Sequence, residues 1–206
     1  MSQVAARRGL QWRRQLPNAL SFLRILLIPV IISLSLQSEY GWAAAIFVLG
    51  ALTDCADGWV ARRYHCATRF GMILDPVADL LYILGLIPLL WYLDAIGPLF
   101  AVLVVTRCLI QLSVLPVMVW WLKRPFDVNI HWFQTLTSVV ALTVLGLGFA
   151  KQLTFEWLPD LAGMRVVFDR TLSAITAIGC LLEVGVLIRF VPRYLQILRR
   201  KHRTFE

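Results

Sequence analysis

Residues 54–79 read DCADGWVARRYHCATRFGMILDPVAD, a run that sets four aspartates among apolar and small residues. Asp54, Asp57, Gly58, Ala61 and Arg62 recur at i, i+3, i+4, i+7 and i+8, so a helix carries them on one face. Gly71, Asp75 and Asp79 recur at i, i+4 and i+8 and share a face of the next helix. The short connection from Arg63 to Arg69 makes the two helices antiparallel neighbours, so both acidic faces can line one cavity. Four carboxylates in a low-dielectric cavity repel one another, and some stay protonated unless cations are present. Two divalent ions would balance them, and a site of oxygen ligands favours Mg²⁺, or Mn²⁺, over zinc. Two such ions suit an in-line displacement at phosphorus. Gly58 and Gly71, lacking side chains, would let a phosphate or nucleotide approach the helix backbone.

Outside this run the sequence is that of a membrane protein. Of 206 residues 59% are hydrophobic and 16% charged, and the mean hydropathy is +0.74. A soluble domain of this length buries only about 70% of its chain surface, so water is the wrong solvent for it. Disorder and a collagen-like repeat do not fit this composition, and neither does a disulfide scaffold, since Cys numbers four. Cys55, Cys108 and Cys180 sit within helical stretches without metal-ligand spacing. About 20 apolar residues span a bilayer as a helix. Six stretches qualify: 19–37, 41–61, 70–93, 97–122, 133–155 and 171–192. The expected fold is therefore an all-α integral membrane protein of six transmembrane helices, a single domain over 1–206.

Charge sets its orientation. The amino-terminal arm carries Arg7, Arg8, Arg13 and Arg14, and the second-to-third connection carries Arg62, Arg63 and Arg69. Lys123 and Arg124 follow in the fourth-to-fifth connection, and Arg193, Arg199, Arg200, Lys201 and Arg203 in the tail. The alternate connections hold three basic and five acidic residues. Both termini are then cytoplasmic. Trp42, Trp91 and Trp157 fall at outer helix ends, and Trp120, Trp121 and Trp132 at inner ones, as interfacial anchors do. A cleaved signal peptide is not expected, because the first apolar run is longer than an h-region and no small-residue cleavage site follows it. Within an arm of residues 1–17, residues 3–15 mix Val4, Leu10 and Trp12 with four arginines, which predicts a short amphipathic helix on the inner leaflet. Residues 193–206 form a basic cytoplasmic tail. The net charge of +8 is read as membrane topology and not as nucleic-acid binding.

The acidic run resembles the signature of the CDP-alcohol phosphotransferases, D-x2-D-G-x2-A-R-x8-G-x3-D-x3-D. All eight specified positions match: Asp54, Asp57, Gly58, Ala61, Arg62, Gly71, Asp75 and Asp79. The resemblance implies an enzyme of phospholipid biosynthesis in which an alcohol attacks the phosphorus next to the lipid of a CDP-linked donor and CMP leaves. By the same resemblance Asp54, Asp57 and Asp75 bind metal, while Asp79 contributes to a second metal and acts as general base. Gly58, Arg62 and Thr68 contact the donor, with Gly71 beside them. Arg62 has its own rationale, since a guanidinium matches a pyrophosphate bidentately. Homodimerisation is expected from the resemblance alone.

The sequence Leu16, Pro17, Asn18, Ala19, Leu20, Ser21, Phe22, Leu23, Arg24 is similar to the P-N-x-L-[ST]-x-x-R opening of the phosphatidylglycerophosphate and cardiolipin synthase branch. It adds Asn18 and Ser21 to the donor-binding candidates, although Asn18 would also serve as a helix N-cap. Arg24 and Arg107 lie inside helices, where an arginine pairs or faces a polar cavity. Both are candidates for the acceptor phosphate, and for Arg107 an ion pair with Glu183 is the alternative. Three positions depart from the branch: Leu80 where a Lys is usual, Cys108 where an acid is usual, and a 128–134 stretch without the Gly-Lys-x-Lys-Thr type of sequence. The expectation is a phosphatidyl transfer from CDP-diacylglycerol to glycerol 3-phosphate on the cytoplasmic side of a bacterial inner membrane. Its alternatives are cardiolipin synthesis from phosphatidylglycerol, another CDP-alcohol phosphotransferase, a catalytically silent scaffold or an ion-coupled transporter. The transporter would ordinarily show internal repeats and acids near the midplane.

Overall fold

The computed structural model describes the backbone of residues 2–64, 71–116, 131–157 and 162–198, and side chains within 19–53, 74–113, 136–157, 163–192 and 194–195. Six helices account for the described regular structure: α1 (Ser2–Leu36), α2 (Tyr40–Tyr64), α3 (Gly71–Tyr92), α4 (Pro98–Pro116), α5 (His131–Trp157) and α6 (Ala162–Leu198). Four contain stretches long and apolar enough to cross a membrane: Ala19–Leu36, Leu74–Tyr92, Leu136–Trp157 and Gly163–Pro192. Among the described residues α2 and α4 carry shorter apolar stretches, Tyr40–Thr53 and Pro98–Ser113.

The first and last helices differ from the sequence expectation, the last also running on to Leu198 past its expected end at 192. The amino-terminal arm is not a separate interfacial helix, because α1 runs unbroken from Ser2 to Leu36. Ala5, Ala6, Leu10, Gln11 and the arginines are strong helix formers, and Pro17 withdraws only one backbone donor from the helix. Asn18 therefore lies inside α1 and not at its amino-terminal end. The sixth helix begins at Ala162 instead of 171, and it carries Pro192 in its interior. Arg165 and Asp169, which end the apolar count, are accommodated by partners on α5: Lys151 Nζ lies 2.7 Å from Asp169 Oδ1, and the Arg165 guanidinium stacks 4.4 Å from the Phe155 ring centroid.

The chain divides into two compact units, Met1–Gly85 and Leu86–Glu206. In the first, α1 and α3 run parallel. Ser21 meets Asp75, Arg24 meets Asp79, and Gly85 lies against Ile28, where an added Cβ would sit 2.6 Å from its Cγ2. Helix α2 joins α3 through the stacked Phe47 and Tyr82 rings, 6.0 Å apart. The Tyr82 hydroxyl donates to the Phe47 carbonyl at 3.2 Å. Gly50 makes this approach possible, since a Cβ there would lie 2.7 Å from the Tyr82 oxygen.

In the second unit α5 and α6 are antiparallel, with Val140 and Phe100 both against Gly179, an added Cβ of which would sit 2.5 Å from Phe100 Cε2. Gly148 seats the buried Leu90 in the same manner. The turns after α1 and α3 share one design. Leu34 and Leu90 carbonyls accept from the amides of Glu39 and Ala95, Ser35 and Trp91 carbonyls from those of Ser38 and Asp94. This is the Schellman closure, with Ser38 (φ 63°) and Asp94 (φ 53°) in the left-handed position usually given to glycine. Side chains of α5 cap the α3 end further: Gln152 donates to the Leu93 carbonyl at 2.8 Å and Lys151 to that of Asp94 at 3.4 Å.

Leu181, Ile188, Leu99 and Val102 are exposed, as are Trp42, Trp91 and Trp157 at helix ends. Side chains of this kind suit lipid and its interface.

Candidate active site

The signature spans the end of α2 and the start of α3. Asp54, Asp57, Gly58, Ala61 and Arg62 belong to α2 and Gly71 opens α3. Their side chains lie outside the described residues, as does Asn18, and Thr68 falls in the undescribed stretch 65–70. Asp75 and Asp79 are fully described. Both are half-buried, one helical turn apart on the same face of α3.

That face packs against α1. The Ser21 hydroxyl donates to Asp75 Oδ1, and the Arg24 guanidinium pairs with Asp79 Oδ1 through Nη1. Both partners on α1 are buried, Ser21 completely and Arg24 to within 2%. The i, i+3 spacing of Ser21 and Arg24 thus meets the i, i+4 spacing of Asp75 and Asp79 in a parallel register. Tyr82, one turn beyond Asp79, closes the apolar end of this face and is itself buried. The first helix is therefore a wall of the acidic site. Sequence reasoning identified Ser21 and Arg24 but directed them at substrates; the pairings with α3 and the position of Tyr82 were not foreseen. The signal was present in the matching polar spacings and in the i+7 relation of Tyr82 to Asp75.

Arg107 is placed differently. It is buried in the second unit, where its Nε lies 2.6 Å from Glu183 Oε2, the two side chains being 1% and 2% exposed. Its Nη1 donates to Gln111 Oε1 at 3.0 Å. Nη2 is buried without a hydrogen-bond partner among the described residues. The ion pair with Glu183 that the sequence left as an alternative is present. Lys151 and Asp169, by contrast, form an ion pair in which Asp169 remains largely exposed.

A hard divalent ion fits the donors on α3. Both are carboxylates, they sit one turn apart, and the Asp79 side chain keeps 44% of its surface accessible despite the pair with Arg24. The described residues alone hold no group of three or more such ligands, so the aspartates of α2 would complete the set.

Comparison with known proteins shows the family. The family model of the CDP-alcohol phosphatidyltransferases matches residues 14–188. A protein of Rickettsia felis named CDP-diacylglycerol–glycerol-3-phosphate 3-phosphatidyltransferase is 39% identical over 99 residues, covering 46% of this chain and 54% of its own. A Rickettsia typhi protein of the same name is 45% identical over 75 residues, 34% of this chain and 41% of its own. A Mycobacterium bovis protein named "Putative cardiolipin synthase" is 36% identical over 104 residues, 50% of this chain and 49% of its own. The chain thus spans about half the length of the curated relatives it matches. The family match takes in α1 with its Ser21 and Arg24, the paired acids of α3 and most of α6. With the eight-residue signature intact and its α3 half built against α1, the chain belongs to the CDP-alcohol phosphatidyltransferase family.

Proposed function

We propose that the protein transfers a phosphatidyl group from CDP-diacylglycerol to the hydroxyl of glycerol 3-phosphate, releasing CMP. The observation that carries this reading is the polar seam between α1 and α3, where Ser21 and Arg24 hold Asp75 and Asp79. The stacking of Phe47 on Tyr82 extends it to α2. In an antiparallel pair, two turns (about 10 Å) from Phe47 lead to Asp54 and two turns from Tyr82 lead to Asp75. Asp54 then stands level with Asp75, with Asp57 and Asp79 about one turn to either side.

In the proposed reaction Asp54, Asp57 and Asp75 hold one Mg²⁺, or Mn²⁺, and Asp79 contributes to a second. When bound, the ions neutralise charge that develops at phosphorus and on the leaving CMP. Asp79 accepts the proton of the acceptor hydroxyl, to which a carboxylate in hydrogen-bond reach is suited. The acceptor oxygen forms a bond to the phosphorus next to the lipid, the bond from that phosphorus to the CMP oxygen breaks, and the proton on Asp79 passes to solvent. Gly58 and Gly71 give the donor close access to backbone, and Arg62, Thr68, Asn18 and Ser21 contact it. The unpartnered Nη2 of Arg107 supports a role in binding the acceptor phosphate, with Arg24 the second candidate. The wider setting proposed is six membrane spans, cytoplasmic termini and site, a bacterial inner membrane and a homodimer.

Similarity to the mycobacterial protein favours one second reading, with phosphatidylglycerol as acceptor and cardiolipin as product. Purified protein in detergent with CDP-diacylglycerol, Mg²⁺ and a panel of acceptors separates the two. CMP release with glycerol 3-phosphate is expected. Release with phosphatidylglycerol alone would move the assignment, and no release with any acceptor would remove it.

A further inference from the structure

The two acids of α3 are held by partners of different charge. Ser21 gives Asp75 a neutral hydroxyl, which orients the carboxylate and leaves its charge in place. Arg24 gives Asp79 a full positive charge. The guanidinium is 2% exposed and has little water to return to, while the Asp79 side chain is nearly half accessible. The approach to this carboxylate is thus from its open side, with a fixed cation behind it. We propose that Arg24 is the resident counter-cation of Asp79: it neutralises the carboxylate in the ion-free protein, and a divalent ion that binds there competes with it. Arg24 is in this sense a positioning residue, acting through Asp79. The inference rests on the reading of Asp79 as a metal ligand.

The direction of the effect separates this role from a structural one. A buried arginine that merely supports the helix pair would, on removal, loosen the site and weaken ion binding. A competing cation, on removal, strengthens it. Mn²⁺ is the probe, titrated into the purified full chain in detergent with unbound ion read by electron paramagnetic resonance. In Arg24→Gln the Mn²⁺ dissociation constant is expected to fall about tenfold, the scale of removing one partly screened unit charge. Arg24→Lys, which keeps the charge, is expected to stay within about threefold of the unmodified protein. The gain in unfolding temperature on adding Mn²⁺ should also be larger in Arg24→Gln, because an ion that binds the folded state more tightly stabilises it more. Unchanged or weakened Mn²⁺ binding in Arg24→Gln, with Mn²⁺ still bound by the unmodified protein, overturns the counter-cation role alone. An unmodified protein that binds no more Mn²⁺ than the Asp75→Asn, Asp79→Asn double variant overturns the metal-ligand reading and this inference with it.

Discussion

Replacing Glu183 with Gln removes the carboxylate that faces Arg107 at 2.6 Å and leaves a guanidinium inside the second unit with 1% of its side chain exposed. Gln111 still accepts from Nη1 at 3.0 Å, but a neutral amide does not balance the charge. Breaking a buried ion pair by removing one partner costs about 3–5 kcal/mol. For a chain of this length each kcal/mol moves the unfolding temperature by about 2–4 °C, so Glu183→Gln should fall by an amount on the order of 10 °C. Replacing both partners, Arg107→Met with Glu183→Leu, removes both charges and fills the space with apolar atoms; it should lie within about 1 kcal/mol of the unmodified protein. The unmodified protein, Arg107→Met, Glu183→Leu and the double variant form a cycle that can be compared by SDS-driven unfolding in mixed micelles, with a coupling energy of at least about 2 kcal/mol expected. Single variants within about 0.5 kcal/mol of the starting protein, or a double variant as unstable as the sum of the singles, would refute the burial argument. The double variant also isolates the chemistry assigned to Arg107. If Nη2 binds the acceptor phosphate, the folded double variant shows a KM for glycerol 3-phosphate raised at least about tenfold, the scale of one lost charged hydrogen bond, with the KM for CDP-diacylglycerol unchanged. An unchanged acceptor KM would remove Arg107 from the acceptor site.

Two further outcomes follow from packing. Gly179→Ala would put a Cβ 2.5 Å from Phe100 Cε2 and 3.3 Å from Val140 Cγ1; with Phe100 buried, about 1–3 kcal/mol of stability should be lost, measured by the same SDS unfolding. Gln152→Leu withdraws the donor to the Leu93 carbonyl and should cost about 1–3 kcal/mol, with faster amide exchange at the α3 carboxyl end by hydrogen–deuterium exchange.

Much of the fold is legible in the sequence because membrane helices are declared by composition. The second, third and fifth stretches, 41–61, 70–93 and 133–155, lie within two or three residues of α2, α3 and α5. The sixth was started nine residues late because Arg165 and Asp169 interrupt its apolar run, and no local rule reveals that α5 holds partners for both. The arm joined to α1 for a related reason: amphipathic composition describes a surface but does not state where a helix stops. At the site, helical spacing alone put Asp75 and Asp79 on one face, and that face is present. The pairing of Ser21 with Asp75 and Arg24 with Asp79 depends on the register of α1 against α3. Register is a property of two helices separated by more than 50 residues, and a single helix's periodicity does not encode it.

The account rests on Asp79 as the base of a phosphatidyl transfer. Its most direct test measures CMP release from CDP-diacylglycerol and glycerol 3-phosphate by the unmodified protein and by Asp79→Asn, with donor binding measured alongside. The prediction is Mg²⁺-dependent release by the unmodified protein, and in Asp79→Asn a turnover lowered at least about 100-fold with CDP-diacylglycerol still bound. Turnover by Asp79→Asn at the rate of the unmodified protein would contradict it.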